Sequence, residues 1–189
     1  MSLARSPTLA YSPDVEPEAT IDAIDDCNLG ETMKGDTRVT EQLNKALREE
    51  LTAINQYFVH AEMCNNWGYH ALGTHIKKQS IDEMRHAEAL IERLLFLDVT
   101  PSMELEPLNI GANVKKQFEN DLALELGAVR SYNDAVRIAQ EAGDNTSREL
   151  FEHNLKDEEG HVDWLEAQLH LISEVGYERY LAQQMGGEE

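Results

Sequence analysis

Two short stretches, Glu83-Met84-Arg85-His86 and Glu158-Glu159-Gly160-His161, limit what this chain can become. Each is a Glu-x-x-His, and on a helix positions i and i+3 share a face. Each pair can therefore offer a carboxylate and an imidazole to one point. Thirty-three residues before Glu83 stands Glu50, and thirty-three before Glu158 stands Glu125. The whole set repeats at an offset of 75. A lone Glu-x-x-His is expected by chance roughly once in a chain of this composition. The doubled set, with both upstream glutamates at identical spacing, is not.

The surrounding sequence supplies the scaffold. From Asp36, an N-cap residue by type, Leu43, Leu47, Leu51, Ile54, Phe58 and Ala61 recur every three or four positions up to Trp67-Gly68. That period predicts a first helix. A second is predicted from about Tyr69 to Leu97, with Gly73 a blemish near its start. An irregular stretch from Asp98 to Asn113 carries Pro101, Pro107 and Gly111. It is long for a compact domain and suits a crossover running the length of a bundle. A third helix is predicted over Val114–Ala142, with Gly143 placed as a C-terminal cap. Thr146-x-x-Glu149 reads as a capping box opening a fourth helix, which Gly176 ends. A short fifth helix fits about 177–185. The fold class is all-α: two helical hairpins joined by one long crossover, an antiparallel four-helix bundle with a terminal helix. The bundle domain is placed at 36–185.

In each hairpin the Glu and the Glu-x-x-His lie equidistant from the turn, so they share a height, roughly 25 Å from it. Paired about a pseudo-twofold axis, the hairpins bring four carboxylates and two imidazoles together at mid-bundle. Four buried carboxylates without cations would be strongly destabilising, and two divalent ions balance their charge. Carboxylate oxygen with one imidazole per ion suits iron or manganese. A Glu from two helices and Glu-x-x-His from the other two is the pattern of ferritin-like di-iron bundles. The expected ligands, and the residues that would carry any chemistry there, are Glu50, Glu83, His86, Glu125, Glu158 and His161.

The remaining residues read more plainly. Tyr57, Asp121 and Trp164 sit at helical spacing from the ligands and are expected to pack or cap. Asp82 and Asp157 precede ligand glutamates and point about 100° away, towards a neighbouring face or solvent. His60, His70, His75, His153 and His170 have no Glu three before them and are expected at the surface or polar rim. A net charge of -20 argues against a nucleic-acid partner and against an anionic membrane surface. No apolar run is long enough to span a bilayer. Only Cys27 and Cys64 are present, too few for a disulfide framework, and the expected location is cytoplasmic. Residues 1–35 hold Pro7, Pro13 and Pro17 and the acidic cluster Asp22, Asp25 and Asp26. They read as a disordered acidic tail, with a short helix conceivable over Ile21 to Asp26. A start at Met33 would remove nearly all of it, so it is either a targeting addition or an over-long start.

Across about residues 33–185 the sequence resembles the bacterioferritin family. The resemblance rests on Met33-Lys34-Gly35-Asp36, Glu49 through Phe58, Ser80 to His86, Asp121 through Leu126, and Asp157 to Trp164. It implies iron storage in a 24-subunit cage that oxidises Fe(II) with O2 or peroxide at an intra-subunit di-iron site. The family's ferroxidase ligands match the six residues above, with none missing. It further implies haem b at the subunit twofold, with Met84 as the axial ligand, and a small [2Fe-2S] ferredoxin that drives iron release. Lys78 stands where some family members have an inner-surface histidine, so an internal iron site of that kind is not implied. A rubrerythrin-type peroxidase would share the doubled motif but usually adds a Cys-x-x-Cys domain, absent here. A structural or haem-only cage subunit would not need the complete ligand set. A DNA-protecting miniferritin is disfavoured by the intact intra-bundle site and the acidic tail.

Overall fold

The computed structural model describes residues 34–186. The expected tail over 1–35, and the helix conceivable within it, lie outside them except for Lys34 and Gly35. Five helices follow in order: α1 (Thr37–Asn66), α2 (His70–Phe96), α3 (Val114–Ala142), α4 (Asn145–Val175) and α5 (Tyr177–Gln183). Among the described residues there is no strand. The helix boundaries follow the sequence period to within a residue or two, which is the ordinary uncertainty of helix ends. Helices α1 and α2 form one hairpin and α3 and α4 the other, and α1 packs across on α3.

The ends are set by local chemistry. Asp36 caps α1, its carboxylate accepting from Arg38 N–H at 2.8 Å. Gly143 closes α3 with φ of 73°, the left-handed conformation that a glycine adopts without strain. Gly73 is no blemish: a Cβ there would stand 2.0 Å from Asn65 Oδ1, so its absence lets the first hairpin close. The opening of α4 differs from expectation. Its cap is Asp144, not Thr146, and the Thr146-x-x-Glu149 box lies inside the helix. Asp144 accepts from Ser147 N–H at 3.0 Å and from Arg93 of α2 at 2.7 Å. A carboxylate that caps one helix and holds a guanidinium from another outcompetes a hydroxyl two residues later.

The crossover, 97–113, runs alongside α1. Its backbone N–H groups at Ser102, Glu106, Asn109 and Gly111 donate in turn to side chains of Asn44, Thr52, Gln56 and His60. Those acceptors lie 8, 4 and 4 residues apart on one face of α1. An irregular segment thus finds partners for its backbone without a ladder of its own.

The apolar core is divided. One cluster gathers Val39, Leu43, Leu47, Leu90, Leu94, Tyr132 and Phe151; the other gathers Tyr57, Ala61, Leu72, Ile76, Phe118 and Leu165. Glu50, Glu83, Glu125 and Glu158, all between 0% and 3% exposed, lie along the helices between these two sets. A layer of carboxylates therefore crosses the bundle at mid-height, with hydrocarbon on both sides.

Candidate metal centre

All six expected ligands meet in that layer. They form two overlapping groups, each with its donor atoms within 4.8 Å of one another: Glu50, Glu83, His86 and Glu158, and then Glu83, Glu125, Glu158 and His161. Glu83 and Glu158 belong to both groups, and Glu50 and Glu125 to one each. The histidines face inward through Nδ1. For His86 this atom lies 3.0 Å from Glu83, 3.2 Å from Glu158 and 3.7 Å from Glu50. For His161 it lies 2.9 Å from Glu83 and 3.2 Å from Glu158.

The cluster sets its own protonation. Burial, reinforced by the charges of Glu158 and Glu83, pushes the carboxyls of Glu50 and Glu125 well above the usual range. Burial opposes a charged His161, yet the carboxylates of Glu158 and Glu83 outweigh it and lift the imidazole to about 10. The same contest raises His86, where Glu158, Glu50 and Glu83 prevail over burial. Glu158 goes the other way: hydrogen bonds from His161 and His86 overcome burial and hold it below the carboxylate range. Protons thus neutralise much of the charge of the cluster. Glu83 Oε1 lies 2.9 Å from His161 Nδ1 and Glu158 Oε1 lies 3.2 Å from His86 Nδ1, neither in an aligned hydrogen bond. A buried set of four carboxylates and two imidazoles fits a pair of cations.

Around the ligands, two tyrosines act crosswise. Tyr57 of α1 donates its hydroxyl to Glu125 of α3, and Tyr132 of α3 donates to Glu50 of α1. Burial and the adjoining carboxylate raise both phenols well above their ordinary value, so each stays a donor. Tyr132 was not among the candidates from sequence. It stands 75 residues after Tyr57, so the offset that pairs the ligands also pairs the tyrosines. Asn154 supports it, its Nδ2 donating to Tyr132 Oη at 3.0 Å.

One other expectation changes. His60 is not at the rim but fully buried. Gly111 N–H donates to its Nε2 at 3.0 Å, so its proton lies on Nδ1 and is given to Asp121, also at 3.0 Å. Asp121 accepts from Gln56 as well, at 2.7 Å, and so ties α1 and α3 together one turn from Glu125. A buried histidine looks like a surface one in sequence, because its partners lie 51 and 61 residues away. Trp164 packs as expected, edge-on to Phe118, and His75 stacks on it with centroids 4.1 Å apart.

The layer is not sealed. His86 and His161 border a surface cavity of about 450 Å³, lined also by Asp82, His153 and Asp157. Met84 points away from all this and is 51% exposed in the isolated chain. It shares a face of α2 with exposed Ile81, and Lys77 one turn earlier lies over exposed Phe58 of α1.

Comparison with known proteins agrees with this geometry. Residues 40–175 match the ferritin-like domain family. Bacterioferritin of Mycolicibacterium paratuberculosis is 46% identical over 152 residues, covering 80% of this chain and 96% of that protein. Bacterioferritin of Brucella melitensis is 46% identical over 149 residues, covering 78% and 92%. Bacterioferritin BfrA of Mycobacterium tuberculosis is 44% identical over 152 residues, covering 80% and 96%. A helical bundle of this topology, matched along nearly the whole length of such relatives, places the chain in the bacterioferritin family.

Proposed function

We propose that the chain is a ferroxidase subunit of an iron-storage cage. The observation that carries this is the pair of overlapping donor groups sharing Glu83 and Glu158. Iron is the substrate. Two Fe(II) ions occupy the two groups, and each gives up one electron. With H2O2 as oxidant, two electrons and two protons cleave the O–O bond and yield two waters; with O2 they yield H2O2. The chain's own part is to hold both ions at one distance from the oxidant and keep water from the buried side. The protons displaced from Glu50, Glu125 and the imidazoles leave as iron binds.

Membership of the family supports assembly into a 24-subunit cage with ferric mineral inside, and haem b shared by two copies. Met84 is the proposed axial ligand, and its exposure on the face of α2 that also carries exposed Ile81 supports an apolar contact between copies there. A [2Fe-2S] ferredoxin is the proposed electron donor for iron release.

Anaerobic Fe(II) titration of the purified cage, followed by oxidant, tests the reading. Two irons per subunit should oxidise rapidly. Glu83→Ala should slow the fast phase by at least about tenfold, since losing even an outer partner of a metal ligand costs that much. An unchanged rate in that variant would remove the di-iron site from the mechanism. The visible spectrum of the same preparations tests the haem: Met84→Leu should lose the Soret band while its iron oxidation persists.

A further inference from the structure

The two halves of the site are built from a repeat, but they are not equal. The aspartates that precede the bridging glutamates, Asp82 and Asp157, are also 75 residues apart. Three residues after Asp82 stands Arg85, within reach on the same helix face, and it holds that carboxylate in an ion pair. Three residues after Asp157 stands Gly160, which has no side chain to do so. Asp157 instead reaches across from α4 to α2, where its Oδ2 lies 3.3 Å from Nε2 of His86. The far nitrogen of His86 therefore meets a carboxylate, while Nδ1 faces the donor cluster. Among the described residues no carboxylate meets Nε2 of His161. A second imidazole, that of exposed His153, lies 3.7 Å from the same Asp157 oxygen.

We infer that Asp157 is a positioning residue that orients His86 as a metal ligand and makes the His86 half of the site bind a divalent ion more tightly than the His161 half. This rests on the di-metal reading above. An imidazole that coordinates through one nitrogen carries its proton on the other, and a carboxylate accepting that proton fixes the tautomer, holds the ring plane and makes the ligand more basic. Asp157 stands where that acceptor is needed. Asp82, its counterpart in the repeat, is withheld from His161 by Arg85. The inequality thus traces to a difference within the repeat, Arg85 in one half and Gly160 in the other.

The test is Co(II) titration of the metal-free assembled protein, followed by calorimetry and by the visible d–d bands of bound cobalt. Wild type should take two Co(II) per subunit, in a tighter and a weaker step. Asp157→Ala should weaken the tighter step by about 10- to 100-fold and alter one set of d–d bands, leaving the other set unchanged. Asp157→Asn keeps an acceptor for Nε2–H but loses the charge, so it should fall between the two; it also carries the test if the alanine variant does not assemble. Asp82→Asn should leave both steps as in wild type. In a His86→Ala background, Asp157→Ala should have no further effect on the remaining step. Two outcomes overturn the inference with the di-metal reading intact: two Co(II) bound with both steps unmoved by Asp157→Ala, or both steps weakened alike. Failure of wild type to bind two Co(II) overturns the di-metal reading itself, and this inference with it.

Discussion

Tyr132 shows how much a single hydroxyl can hold. It donates to Glu50 and accepts from Asn154, and all three side chains are buried. Tyr132→Phe keeps the ring in its packing against Phe151, whose centroid lies 6.1 Å away, but strips both hydrogen bonds. Glu50 loses a donor and Asn154 Nδ2 is left without an acceptor. An unsatisfied buried polar group costs about 1–3 kcal/mol, so denaturant unfolding of the metal-free variant should show a loss of that size. Added metal should recover part of it, because a cation gives Glu50 a new partner. Met84 and Glu83 make the complementary point. They are adjacent in sequence, one half-exposed and the other fully buried, so each can be altered with little effect on the other.

At the scale of elements, the hairpin ends carry disproportionate weight. Asp144 caps α4 and pairs with Arg93 near the end of α2. It therefore pins the two hairpins together at one end of the bundle. Asp144→Ala removes a cap worth about 1 kcal/mol together with a partly buried charge pair. Thermal unfolding should show a larger loss than for Thr146→Ala, which lies inside α4 and is no cap. The crossover is held differently, by four side chains of α1 rather than by structure of its own. Helix periodicity was legible in the sequence because each helix buries one face, which forces apolar residues into a 3.6-residue rhythm. The cap of α4 was not. The sequence pattern pointed to Thr146, whereas Asp144, two residues earlier, also holds Arg93, which sequence does not place beside it.

At the scale of the molecule, the bundle carries a charged layer through its middle and must neutralise it. Protons do this in the metal-free protein. An unfolded His161 releases its proton near 6.5, whereas the folded one keeps it up to about 10. Its contribution to stability is therefore complete below pH 6.5 and is lost as pH rises through about 10. Glu50 and Glu125 act in the same direction, since the folded carboxyls hold protons that the unfolded chain has already released. The Tm of metal-free protein should accordingly fall between about pH 6 and about pH 9, and the increase on adding a divalent ion should grow over that range. A Tm independent of pH would mean that the carboxylate layer is neutralised by other means.

The six candidate ligands were legible because helical geometry is local and regular. Equal spacing from two turns places residues at one height, and the period of 3.6 places Glu and His on one face, without knowledge of any neighbour. Tyr132 was within reach of the same reasoning, through the offset of 75. Contacts between residues far apart in the chain were decided only by tertiary structure. His60 found Asp121 and Gly111, and Asp157 reached His86 rather than solvent. In each case the side chain's role is set by which helix packs opposite and in what register, and no local rule contains that. By itself, then, the sequence determined the bundle and the ring of carboxylates and imidazoles within it. Packing decided which further groups hold that ring in place and made two halves of one repeat unequal, because hydrogen bonds form between whatever atoms the fold brings within about 3 Å.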